Sequence, residues 1–134
     1  MAATETFDIR TTTRIETIDV TALVRAAIRK SGVDDGLCCV FCPHTTAGLT
    51  VQENSDPQVK AALNDHLTRA VPGDASSATA ATNTDAHVKS SLVGAQVTVI
   101  VEGGKPLIGT WQAIYFCEFD GPRSRNVCVR WLGA

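Results

Sequence analysis

The chain predicts an α+β fold with mostly antiparallel sheet, and three observations lead there. Apolar spacing switches between the two-residue period of strands and the 3.6-residue period of helices. The order reads strand, helix, strands, helix and then a run of strands, which favours antiparallel pairing over repeated βαβ units. The length, 134 residues with 44% hydrophobic, supports one core and one compact domain, 1–134.

The first element is a strand over Thr6 to Ile15, where Phe7, Ile9, Thr11, Thr13 and Ile15 alternate with polar neighbours. The spacing then turns helical at Val20, Leu23, Val24, Ala27 and Ile28, with Asp19 as N-cap, Arg29 and Lys30 in the last turn and Gly32 as stop. Gly36 to Cys42 is an unbroken apolar run suited to a central strand, and Leu49 to Gln52 continues as another. Asp56 caps a second helix that starts at Pro57. Its stripe of Val59, Ala62, Leu63, His66 and Leu67 predicts a core-facing side, with His66 packed in it. Gly73 to Ala86 has no large apolar residue and predicts an exposed loop. Asp85 to Leu92 suits a helical turn capped by Asp85. Strands follow at Ala95 to Val101, Trp111 to Phe119 and Asn126 to Leu132, the last two as a hairpin joined through Asp120-Gly121-Pro122-Arg123.

Charge narrows the function. Twelve Lys and Arg against fourteen Asp and Glu leave a net charge of −2, which disfavours nucleic-acid binding. No run of about 18 apolar residues is present to span a membrane. The N-terminus has neither the basic nor the apolar part of a secretory signal. Five cysteines cannot all pair within one chain, so a reduced, cytoplasmic protein is expected.

Cys39-Val-Phe-Cys42 has C-x-x-C spacing but lies within an apolar strand, where positions three apart face opposite sides; core packing is the better reading for all five thiols. His44 differs. It follows Pro43 at the exit of a buried strand and precedes Thr45, Thr46 and Gly48, a position from which an imidazole can ligate a metal or move a proton. A loop histidine held by a backbone carbonyl is the alternative. His87, near the start of a helical turn, sits where exposed N–H groups attract an anion. Glu118 and Asp120 share one strand face, next to Arg123. That end reads either as a site edge, with Glu118 as acid, base or ligand and Arg123 as anion clamp, or as a solvated hairpin end with an Asp–Arg pair.

His44-Thr-Thr-Ala-Gly-Leu-Thr-Val-Gln-Glu-Asn-Ser-Asp56, Asp85-Ala-His-Val-Lys-Ser-Ser-Leu-Val-Gly94, and Gly109-Thr-Trp-Gln112 with Glu118-Phe-Asp-Gly-Pro-Arg123 together resemble the three signatures of the YjbQ-like family. That family is also called the secondary thiamine-phosphate synthase-like proteins. The resemblance spans nearly the whole chain in the right order. It implies packed, sandwich-like antiparallel sheets with two main helices, a homotrimer, and a weak thiamine-phosphate synthase activity that joins hydroxymethylpyrimidine diphosphate to a thiazole phosphate. Carried over by position, it implies His44, Glu118 and Asp120 as catalytic residues. Thr45, Asn54, Asp56, Gln112 and Arg123 carry over as well; with Thr46, whose hydroxyl can hold an anionic oxygen, Thr45, Asn54, Gln112 and Arg123 are the expected substrate or anion contacts. His44, His87 and Asp85 would hold a divalent metal ion, Zn or Mg. One departure stands out: the family carries an aromatic-x-His element before the second signature, and Pro72 to Asp85 holds no His, aromatic residue or Cys.

These readings make a small phosphorylated metabolite the expected partner. The acidic residues Asp85, Glu118 and Asp120 would repel a diphosphate without an intervening divalent cation, so the synthase reading predicts metal dependence. A metal-assisted hydrolase of a small substrate and a non-catalytic trimeric metabolite-binding protein are the two rival expectations.

Overall fold

The alternation at the N-terminus runs only as far as Arg10. The computed structural model, which describes residues 4–73 and 82–134, divides the expected single strand into β1 (Thr4–Arg10) and β2 (Glu16–Asp19), which belong to different sheets. Thr11-Thr12-Thr13-Arg14 offers no large apolar side chain to hold a ladder. Thr11 is instead pinned by its hydroxyl to Glu118 (2.8 Å).

Helix α1 (Thr21–Ser31) starts where Asp19 Oδ1 accepts the Thr21 N–H (2.9 Å). It ends on Gly32 at φ 73°, a left-handed position that favours glycine. Strands β3 (Gly36–Phe41) and β4 (Ala47–Glu53) flank the His44 turn. Helix α2 (Pro57–Ala70) is capped by the Asp56 side chain on the Gln58 N–H, as expected. Its apolar stripe is not a core face: none of its residues is buried, and His66 is exposed. The polar stretch expected as a loop over Gly73 to Ala86 lies partly outside the described residues. Its end is already helical, as Thr84, Asp85 and Ala86 open α3 (Thr84–Val93). Then come β5 (Gln96–Glu102), the short β6 (Lys105–Pro106), β7 (Gln112–Glu118) and β8 (Ser124–Gly133).

Among the described residues all strand pairings are antiparallel, in a five-stranded sheet of order β1-β8-β3-β5-β6 and a three-stranded sheet of order β2-β7-β4. The main core lies between the sheets and under α1, built on Val24, Ile28, Val40, Leu49, Ile114, Phe116 and Val129. A smaller cluster of Ala86, Ala113, Tyr115, Cys117 and Phe119 lies on the opposite face of the three-stranded sheet, towards α3. Strand β7 is thus covered on both sides.

The expected β7–β8 hairpin does not exist. The two strands lie in different sheets, and Asp120 to Arg123 forms the corner that passes from one sheet to the other. Gly121 is required there. A Cβ at this position would lie 2.2 Å from Thr13 O, 2.8 Å from Thr11 Oγ1 and 2.9 Å from Glu118 Cγ. The acidic strand end, which reads from sequence either as a site edge or as a solvated hairpin end, is therefore drawn between the sheets, where Glu118 is fully buried.

Candidate functional site

Where the sheets meet at this corner, a cleft of about 320 Å³ opens. The turn after β3 supplies Pro43, His44, Thr45 and Thr46. The start of α3 supplies Asn83 and His87, and the β7–β8 corner supplies Arg123 and Arg125. Two imidazoles 43 positions apart thus share one cavity, because the β3–β4 turn and the α3 N-terminus are brought to the same end of the sandwich. No carboxylate is among these lining side chains.

The carboxylates stand behind the cleft and hold its cations. Glu118 accepts from Arg125 through both Nε (2.8 Å) and Nη2, from the Thr11 hydroxyl (2.8 Å), and from the N–H groups of Phe119 (3.0 Å) and Asp120 (3.1 Å). Burial alone would raise its pKa; the hydrogen bonds from Arg125, Asp120 and Thr11 outweigh burial and hold it below the usual carboxylate range. A carboxylate so fully engaged positions Arg125 and is poorly placed to exchange a proton with a ligand. Arg125 in turn donates to Thr46 Oγ1 (2.7 Å), so the Thr46 hydroxyl oxygen is already accepting.

Asp120 accepts from Asn83 (2.8 Å) and from Arg123 (2.9 Å), fixing two lining groups at once. Burial pushes its pKa up, but these partners bring it below the ordinary value. Asp85 is held low by the two-pronged hydrogen bond from Arg14 (3.0 and 3.1 Å), with Lys89 3.8 Å away. Every acidic group expected to repel an anion here is matched by a cation of the chain itself.

His44 Nε2 lies 3.0 Å from the Asn126 backbone nitrogen and 3.1 Å from its oxygen, so β8 engages that nitrogen and leaves Nδ1. Its ring meets Phe116 edge-on at 6.5 Å. Burial first, and the charge of Arg125 second, lower its pKa and favour the neutral imidazole. His87 is exposed at the cleft's other wall. Asn83 adds the N-cap end of α3, where the helix dipole is positive.

The metal expectation does not fit these residues. Among the described residues no three His, Cys, Asp or Glu side chains converge on a point that could hold an ion. Asp85 is committed to Arg14 and Lys89 and lies outside the cleft lining. His44 and His87 alone make a poor zinc site.

Asn54 and Gln112 are likewise elsewhere. The β4–β7 ladder runs from Ala47 opposite Glu118 to Glu53 opposite Gln112, which places them about 20 Å from the cleft at strand spacing. There they bond each other's neighbourhood, Asn54 Nδ2 donating to the Gln112 carbonyl (3.3 Å) and Gln112 Oε1 accepting from Gly109 N–H (2.6 Å). Arg125, Asn83 and Thr11 join the site without being among the residues expected for it. Arg125 left a signal: it falls on the same parity as Val127, Val129 and Trp131, a lone guanidinium on the inward face of a strand. Asn83 left none.

The family model described as UPF0047 protein YjbQ-like matches residues 5–134. The UPF0047 protein MJ1081 of Methanocaldococcus jannaschii is 46% identical, covering 95% of this chain and 92% of its own. The UPF0047 protein YugU of Bacillus subtilis is 45% identical over 96% and 98%. Among solved structures, an uncharacterized conserved YjbQ/UPF0047 protein of Clostridium acetobutylicum is similar at 44% identity and TM-score 0.91, covering 96% of this chain and 99% of that one. A hypothetical protein of Aeropyrum pernix is similar at 30% identity and TM-score 0.90, over 98% and 99%. These findings overturn the expected thiamine-phosphate synthesis. The matched family and these relatives are uncharacterised, and none of their names carries that activity or any other.

Proposed function

This chain belongs to the UPF0047 YjbQ-like family, and we propose that it binds the phosphoryl end of a small metabolite in the cleft between His44, His87 and Arg123. The single observation that carries this reading is the charge arrangement. The cleft is lined by two guanidiniums, two imidazoles, two hydroxyl side chains and an amide, while the carboxylates that balance them stand behind it. An oxyanion with several acceptor oxygens complements such a lining, and the N-terminal end of α3 adds to the attraction. Arg125, fixed by Glu118 and Thr46, is a rigid donor; Arg123, half exposed, is the adjustable one. Burial and Arg125 favour the neutral imidazole of His44, and a bound anion opposes them, giving it a reason to take up a proton on Nδ1.

Thermal melts in inorganic phosphate and pyrophosphate test this without added divalent cation. Pyrophosphate at ten times its Kd raises the midpoint by about 4–5 °C for a domain of this size, and Arg123→Ala removes most of that rise. No stabilisation at tens of millimolar, or an undiminished rise in the variant, refutes the reading.

The expected homotrimer is proposed here on a specific surface. Ile100, Leu37 and Leu132 are direct cross-strand neighbours on β5, β3 and β8 and therefore share one face of the five-stranded sheet. They are 52%, 46% and 67% exposed, a contiguous patch of the kind that marks an interface. Light scattering at micromolar concentration should give three times the chain mass, and Leu37→Lys with Leu132→Lys should give the chain mass alone. Among the described residues, no helix is long and apolar enough to cross a membrane. The five free cysteines support a reducing, cytoplasmic setting.

A further inference from the structure

Helix α2 lies over the far face of the three-stranded sheet without closing on it. Val59, Leu63 and Leu67 have the spacing of a core stripe, yet none is buried, and Leu63 remains 36% exposed. Between α2, the end of α3 and the sheet is a second cleft of about 230 Å³, which shares no lining residue with the histidine cleft. Its walls are Leu63, Leu67, Leu92 and Val93, and its floor includes Tyr115 and Cys117. Leu92 stands 63% exposed at the rim, next to Val93 and across the cleft from Leu63, so the apolar side chains here line one cleft rather than standing singly. Burial pushes the Cys117 thiol up to about 12, so it serves as apolar surface rather than as a nucleophile.

Size and charge define an occupant. An apolar cavity of about 150 Å³ is known to hold benzene, so this larger one has room for a two-ring system. One end is polar. Lys60 Nζ sits 5.6 Å from the Tyr115 ring centroid, and among the described residues no carboxylate forms an ion pair with it. The other charge at that end, Glu53, already accepts from the Ser55 N–H and hydroxyl. Thr17 and Asn64 bond each other. Neither charge is in an ion pair among the described residues, but Ser55 engages the Glu53 carboxylate, so Lys60 is the charge left to meet a ligand beside the apolar slot.

We propose that this cleft binds a small aromatic carboxylate, its rings between Leu63, Leu92 and Tyr115 and its charge at Lys60. The probe is 2-naphthoate, titrated into the full chain and followed by its fluorescence. One-site saturation is expected with a Kd of order 100 μM, as suits a ligand of this size. Lys60→Gln weakens 2-naphthoate about three- to fivefold and leaves the uncharged 2-naphthalenemethanol unchanged. Leu63→Trp fills the slot and removes both; Leu92→Trp, at an already exposed position, does the same if the first variant fails to fold. No saturation up to the probe's solubility overturns the proposal, as does affinity that survives both Trp variants or an equal effect of Lys60→Gln on the two probes. Arg123→Ala leaves 2-naphthoate binding intact, so failure here and failure of the phosphoryl reading are told apart.

Discussion

Replacing Glu118 by Gln removes one charge from a pair with almost no access to water: the side chains of Glu118 and Arg125 are 0% and 6% exposed. The carboxylate accepts five hydrogen bonds, two from Arg125 and three from Thr11, Phe119 and Asp120. An amide has one oxygen, and its NH₂ must then face donors on the other side. Arg125 is left as a buried, unbalanced cation, and breaking such a pair from one side costs about 3–5 kcal/mol. For a chain of this length that is a fall in melting midpoint of about 10–15 °C. Urea unfolding followed by circular dichroism measures it directly, with an unchanged denaturant slope if only the folded state is affected. Glu118→Leu with Arg125→Met should recover much of the loss, because removing both charges leaves none unbalanced. A loss below about 1 kcal/mol for Glu118→Gln, the size of an exposed pair, would refute the claim that this carboxylate positions Arg125.

Other outcomes follow from the same geometry. Gly121→Ala forces a methyl against Thr13 O, Thr11 Oγ1 and Glu118 Cγ; a destabilisation of about 2–3 kcal/mol is expected in the same urea assay. For pH, His44 is depressed in the fold, so its contribution is present above its unfolded pKa near 6.5 and is lost as pH falls through the lower folded value. Glu118, Asp85 and Asp120 are also depressed, and their contribution is present above about pH 4 and lost below it. Urea midpoints should fall from pH 7 downwards, and His44→Gln should flatten the upper part of that slope. Sulfate keeps its charge over this range, so its binding should tighten from pH 7.5 to 5.5 with proton uptake, seen as a binding heat that changes with the buffer's ionisation enthalpy.

The periodic elements were legible because local pattern and burial agree in them. Asp19 and Asp56 mark helix starts that their side chains then stabilise, and the apolar run from Gly36 sits at the centre of its sheet. Two failures share a cause. Thr6 to Ile15 alternates throughout, and the β7–β8 segment reads as a hairpin, because strand parity does not reveal when a chain leaves one sheet for another. That step required Thr11 and Gly121, which meet Glu118 and the Thr11–Thr13 turn across more than 100 positions of chain. The α2 stripe misled for a different reason: helical spacing shows which face is apolar but not what covers it. In the site, His44, His87 and Arg123 were readable from the turns and helix start that carry them. Arg125 was missed although its parity on β8 exposed it, and Glu118 was credited with proton transfer because its burial was invisible from sequence.

On the proposed reading His44 and His87, 43 positions apart, serve one anion. The chain has three histidines, and the third, His66, is exposed on α2 outside the cleft. Ring ¹⁵N–¹H spectra recorded through a titration with inorganic phosphate measure this directly. If one anion bridges them, the His44 and His87 resonances move together along one saturating curve while His66 stays still. Motion of His66 to the same extent, or a still His44 at saturating phosphate, would contradict it.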